Sequence, residues 1–184
     1  AASGCPVQVR SLTSATTRAA RTGEVHGRDY WFLTPAEFAA RVRAFSVGLK
    51  TLGLQPGERV ALISENRPDW AVADYACLAA RCADVPIYPT LPAVQTEYML
   101  RDSGAVMVCV STKQQLAKVV QIRAGLPLIR QVITFDPELG GEGVITMAEV
   151  EARGRAAADQ HAAAAAAEIG RLEGKGDEVI HEIF

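Results

Sequence analysis

Residues 57–90 read GERVALISENRPDWAVADYACLAARCADVPIYPT, and they set a short strand, an amphipathic helix and a proline-broken second strand in close succession. Val60, Ala61, Leu62 and Ile63 form a continuous apolar run of the kind buried on both faces of a parallel sheet. Asn66 is expected to cap the next helix, with Pro68 in its first turn and Trp70, Ala73, Cys77 and Leu78 on its inner face. The second strand starts near Asp84. Pro86 lacks a ladder donor and Pro89 ends the run, so residues 85–88 are expected to be short and at an edge or locally bulged. Together these residues make half of an open α/β sheet.

Working outward, residues 1–28 carry few large apolar side chains and read as a lead-in segment that leans on the domain. Tyr30, Trp31, Phe32 and Leu33 suit a strand, and Thr34-Pro35-Ala36-Glu37 is a capping box with proline at the first helical position. Phe38, Val42, Phe45, Leu49 and Leu52 then recur at helical spacing, and Gly53 ends the helix. Downstream, Pro92 opens a helix through about Asp102 that carries Val94, Tyr98 and Met99. Ala105–Val110 is a β-branched strand. Ser111 or Thr112 can cap a helix with Leu116, Val119 and Val120 inside, and Gln131–Phe135 is one more short strand. Strand and helix thus alternate about five times, which predicts an α/β fold: a mostly parallel sheet with helices packed on it.

Thr146-Met147-Ala148-Glu149 is a second capping box, opening a helix that runs toward Ile169. Its alanine runs favour helix but offer little apolar area, and Gly174 and Gly176 interrupt the apolar residues beyond, so a weakly packed end is expected. The expected organisation is a lead-in over 1–28, an α/β subdomain over 29–150 and an Ala-rich helical tail over 151–184.

A chain of 184 residues is long enough for one well-buried core. A net charge of -2 gives no electrostatic reason to expect nucleic acid or an anionic membrane. Arg10, Arg18, Arg21, Arg41 and Arg43 form no dense block and have no interleaved aromatics, so they read as a solvated helix face. No apolar run approaches the ~20 residues of a membrane span, and residues 1–30 lack the order of a secretory signal, so a cytoplasmic location is expected. Cys5, Cys77, Cys82 and Cys109 lack zinc spacing and read as core filler; His26, His161 and His181 are scattered through polar or tail segments.

Neither a GxGxxG fingerprint nor a GxxxxGK[ST] phosphate loop occurs. The GRLEGKG stretch from Gly170 to Gly176 lacks both a preceding strand and a following Ser or Thr. Asn66, Arg67, Asp69 and Trp70 follow a strand at the carboxyl edge, where open α/β sheets bind ligands, and Tyr88 and Thr90 end another strand there. The plainer reading is that Asn66 caps, Arg67 and Asp69 are solvated, Trp70 is core, and the prolines account for Tyr88 and Thr90. Glu65 and Asp69 are the nearest approach to paired carboxylates, with capping and solvation sufficient to explain them. No residue is assigned to catalysis, cofactor binding or a metal.

TPAEF at 34–38, GLKTLGLQPGERVALISENRPDW at 48–70, VPIYPTLPAVQTEYMLRDSGA at 85–105 and ITFDP at 133–137 agree in order and spacing with one family. The chain resembles the amino-terminal region of the adenylate-forming, luciferase-like superfamily, most closely the AMP-forming long-chain acyl-CoA synthetases. Arg81-Cys82-Ala83-Asp84 departs from it, standing where a small Gly-Ala turn is usual. The resemblance implies ATP- and magnesium-dependent formation of an acyl adenylate, followed by thioester formation with coenzyme A. It also implies that the phosphate loop, the magnesium ligand, the ribose-binding Asp and the catalytic Lys lie outside residues 1–184. Two readings follow: a scaffold fragment or truncated form of a fatty acid–CoA ligase, inactive alone and partnered by the remainder of the enzyme; or a free-standing interaction module that binds a homologous full-length chain. Fatty acid binding, and any peripheral membrane contact, would belong to the full-length enzyme.

Overall fold

The computed structural model describes residues 15–16, 21–25 and 31–173. The first strands, β1 (Ala15–Thr16) and β2 (Trp31–Phe32), pair parallel in a small sheet of their own. The expected aromatic strand therefore lies outside the main sheet, and its partner comes from the lead-in segment, across the expected boundary at 28/29.

Helix α1 (Pro35–Thr51) starts on its capping box: Glu37 N–H donates to Thr34 Oγ1 at 3.1 Å, and Thr34 N–H donates to Glu37 Oε2 at 2.7 Å. There follow β3 (Arg59–Ile63), α2 (Pro68–Ala79), β4 (Ala83–Ile87), α3 (Ala93–Ser103), β5 (Met107–Val110), α4 (Lys113–Ile122), β6 (Gln131–Thr134), β7 (Val144–Thr146) and α5 (Met147–Glu173). Five of the strands lie in the order β4-β3-β5-β6-β7 with every neighbouring pair parallel. In this sheet β7 is the strand that periodicity missed; three residues after a glycine-rich turn are too few to display one.

Alternation along the central strands builds two cores. Val60 and Leu62 of β3, with Met107 and Cys109 of β5, pack under α1, α2 and α5, while Ala61, Ile63, Val108 and Val110 pack under α3 and α4. Burial on both faces is what the continuous apolar run of β3 predicts. On the helices the inner stripes are rotated from the expected ones. Leu78 and Val120 point outward, and Ala76 and Ile122 take the buried places. On α3, Val94 and Tyr98 are exposed, and Thr96 and Leu100 face the sheet.

β4 is an edge strand, as the prolines require, and its register runs unbroken from Arg59↔Ala83 to Ile63↔Ile87, so the alternative of a bulge is not realised. An edge strand carries a ladder on one side only, which is why Pro86 is tolerated.

α2 ends in a Schellman turn: Cys82 N–H donates to Cys77 O, and Arg81 N–H to Leu78 O, each at 2.9 Å. The position that favours glycine holds Arg81, at φ 62°, the one described non-glycine residue with positive φ. Left-handed backbone costs an L-residue about 1–2 kcal/mol, part of which is offset because glycine loses more entropy on folding. Arg81→Gly is therefore expected to raise stability by about 0.5 kcal/mol and Arg81→Ala not to raise it, as read from urea midpoints at constant slope.

The expected division at 150/151 falls inside α5. Val150 is fully buried, and Glu151 and Gly154 are buried beside it, so the first turns of the Ala-rich helix belong to the core. The Gly170 end of GRLEGKG also lies in α5, and Gly174–Gly176 lie outside the described residues.

Candidate functional site

The sheet starts at β3, moves outward to β4, then returns past β3 to β5, so chain direction across the sheet reverses between β3 and β5. Ligands of open α/β sheets bind at the carboxyl ends of the strands beside such a reversal. Here the protein's own side chains bridge the reversal. Ser111 Oγ, after β5, donates to Glu65 Oε2, after β3. Gln115 Nε2 donates to Glu65 Oε1 at 3.4 Å, and Arg67 Nη1 to the Ser111 carbonyl at 3.2 Å. Glu65 is thus a bridging acceptor rather than a solvated carboxylate.

The open space lies one strand over, at the ends of β3 and β4. A cleft of about 670 Å3 is lined by Ser64, Glu65, Asn66 and Trp70 on one side and by Pro86 through Thr90 on the other. Asn66, Trp70, Tyr88 and Thr90, which the sequence placed at strand ends, come together there. Asn66 lines the cleft instead of capping: the N-cap of α2 is Arg67, which makes no side-chain capping bond. With Pro68 at the first helical position, one of the first-turn amides that lack an intrahelical partner is already absent.

Arg67 and Asp69 turn away from the cleft into an ion network, correcting the expectation that they are solvated. Arg67 Nε donates to Asp69 Oδ2 at 2.8 Å, and its guanidinium lies 5.8 Å from the centre of the Phe135 ring. Arg41 Nη2 reaches Asp69 Oδ1 at 2.9 Å and Glu151 Oε1 at 2.8 Å, and its Nε donates to the same Glu151 oxygen at 3.0 Å. Burial works to lower the Arg41 pKa, but the hydrogen bonds it donates to Glu151 and then to Asp69 outweigh it and hold the group above its ordinary value. Arg41 is therefore an anchor between helices, not part of a solvated face.

Lys118 completes the cleft from behind. Its Nζ donates to the carbonyls of Pro89 at 2.8 Å and Leu91 at 2.6 Å, and Gln115 Nε2 donates to Pro89 O at 3.1 Å. Desolvation lowers the Lys118 pKa, with Glu65 acting in the opposite sense. Gln115 and Lys118 were not singled out from the sequence because their partners lie in distant segments. Among the described residues, Asp74 and Asp84 also approach each other, at the other end of β4 from the cleft, where burial and then the Asp84 charge push Asp74 upward. Cys77, Cys82 and Cys109 are buried free thiols; burial pushes Cys77 up to about 12 and Cys109 well above its ordinary value, so neither supplies a thiolate.

A family model described as AMP-binding enzyme matches residues 13–168. Long-chain-fatty-acid–CoA ligase FadD15 of Mycobacterium bovis is 37% identical over 111 residues, covering 60% of this chain and 18% of that protein. Acyl-CoA ligase 891, peroxisomal, of Penicillium roqueforti is 33% identical over 120 residues, covering 61% and 17%. Among solved structures, a benzoate CoA ligase from Burkholderia xenovorans aligns with a TM-score of 0.57 at 27% identity, covering 65% of this chain and 23% of that one. The A-PCP didomain of the carboxylic acid reductase from Segniliparus rugosus, in complex with AMP, aligns with a TM-score of 0.61 at 20% identity, covering 67% and 20%. The chain spans less than a fifth of the length of these curated relatives. With the pattern matched along most of its length and the parallel sheet that the resemblance implies, the chain belongs to the AMP-binding enzyme family.

Proposed function

We propose that residues 1–184 supply the sheet scaffold of a ligase that activates long-chain fatty acids with ATP and passes the acyl group to CoA. The family match over residues 13–168 carries this reading, and relatives named as long-chain-fatty-acid and acyl-CoA ligases support the substrate class proposed. Residues 29–150, together with the first turns of α5, form the AMP-binding-type subdomain in this account, and the remainder of the ligase is its partner. Its place is cytoplasmic, with any membrane contact peripheral and made by the longer enzyme. No described helix is long and apolar enough to cross a membrane.

The described side chains do not fit the phosphates of ATP or a magnesium ion. The cations nearest the cleft are already engaged: Lys118 with two backbone carbonyls, and Arg67 with Asp69 and Ser111. Glu65 sets a carboxylate on the cleft wall, where it would repel phosphate. Among the described residues no group of three or more His, Cys, Asp and Glu is placed to hold a metal ion. In this reading the groups that stabilise phosphoryl transfer belong to other parts of the ligase, and the segment is inactive alone. Fatty-acid-dependent exchange of labelled pyrophosphate into ATP tests it. The expected rate equals that of a heat-treated sample, and exchange above that control would overturn the proposal.

A further inference from the structure

We infer that Lys118 and Gln115 are positioning residues that hold the Tyr88–Leu91 wall of the cleft and so set its width. This wall leaves the edge strand β4 after Ile87 and reaches α3 at Ala93. Pro89 and Pro92 remove two backbone donors from this stretch, and the one local backbone bond within the wall runs from Leu91 N–H to Tyr88 O at 3.1 Å. Tyr88 is 77% exposed, so side-chain packing anchors its end of the wall poorly.

The fixing bonds come from α4. Lys118 holds the Pro89 and Leu91 carbonyls, and Gln115, three residues earlier on the same helix, holds Pro89 O a second time. Hydrogen bonds from an ammonium are roughly twice as strong as neutral ones. Gln115 is 2% exposed and is also joined to Glu65, which accepts from Ser111. One chain of contacts therefore ties the wall beyond β4 to the ends of β3 and β5, and the separation of Tyr88 from Trp70 across the cleft depends on it. The inference rests on the fold and side-chain geometry, so it stands or falls separately from the pyrophosphate-exchange result.

The test uses the 184-residue chain with Trp31→Phe, which leaves Trp70 as the sole tryptophan. Lys118→Met is expected to raise hydrogen exchange at the Leu91 amide about tenfold while leaving the Ile133 amide of β6 unchanged, and to increase acrylamide quenching of Trp70. Lys118→Arg, which keeps charged donors, is expected to restore both readouts most of the way. Gln115→Met, which removes the second donor, is expected to raise Leu91 exchange by a smaller factor. Unchanged exchange at Leu91 in folded Lys118→Met, an equal rise at Leu91 and Ile133, or no recovery in Lys118→Arg would each overturn the proposal.

Discussion

Gly154→Ala is expected to lower stability by about 3 kcal/mol and the melting temperature by roughly 10 °C. Gly154 sits where α5 crosses α1 with backbone against backbone. A Cβ placed there would collide with the Ala44 carbonyl oxygen and stand 2.7 Å from the Gly48 nitrogen. Gly48 faces the same crossing from α1, where a Cβ would meet the Val150 carbonyl and stand 2.7 Å from Val150 Cγ1. No rotamer change relieves a clash with main chain, so the helices would have to separate and lose packing around Phe45, Leu49 and Val150. Helix propensity alone favours alanine by about 1 kcal/mol, so the sign of the effect reports the crossing. Gly48→Ala is expected to behave similarly. The double variant should cost less than the sum, because one separation relieves both clashes. Thermal melts of the three variants check this, and a stabilised Gly154→Ala would refute the close crossing.

Arg41→Met is expected to cost about 2 kcal/mol, measured by urea unfolding at constant slope. Glu151 has a side chain only 9% exposed, and its remaining cation, Arg155, stands at 3.3 Å. Removing Arg41 therefore strands most of a desolvated carboxylate, while Asp69 keeps Arg67 at 2.7 Å. Adding Glu151→Leu to Arg41→Met should recover at least half of the loss, since two apolar groups replace a broken pair. Failure to recover would mean that Arg41 acts through its own packing rather than through charge.

Elements with strong local codes were legible in the sequence. Both capping boxes form with reciprocal hydrogen bonds, at Thr34 with Glu37 and at Thr146 with Glu149, because every atom involved lies within one turn. The apolar run of β3 and the prolines of β4 fixed a central and an edge strand. Less legible were features decided by partners far away in the chain. Trp31 and Phe32 have the composition of a sheet strand, yet they pair with Ala15 and Thr16, which carry no strand signal. The inner faces of α2 and α4 came out rotated: on α2 the small residues Ala76 and, at its C-cap, Ala80 are buried where Leu78 was expected, and on α4 Gln115 and Ile122 are buried where Leu116 and Val120 were expected.

At the cleft the same division holds. Asn66, Trp70, Tyr88 and Thr90 were recognisable because strand ends sit at a carboxyl edge. Gln115 and Lys118 were not, since each reaches its target from a separate βα unit, and Lys118 on a half-buried helix position looks like any solvated lysine. Arg81 shows the converse: its departure from the small turn usual in the family is visible in the sequence, whereas its left-handed backbone appears only in the structure.

The central claim is that these residues build the scaffold of an AMP-binding ligase without holding its chemistry. Pyrophosphate exchange into ATP, with a long-chain fatty acid and magnesium present and a full-length long-chain-fatty-acid–CoA ligase as positive control, tests it most directly. The account predicts exchange by the control and a rate indistinguishable from the heat-treated blank for the 184-residue chain; fatty-acid-dependent exchange by that chain would contradict it.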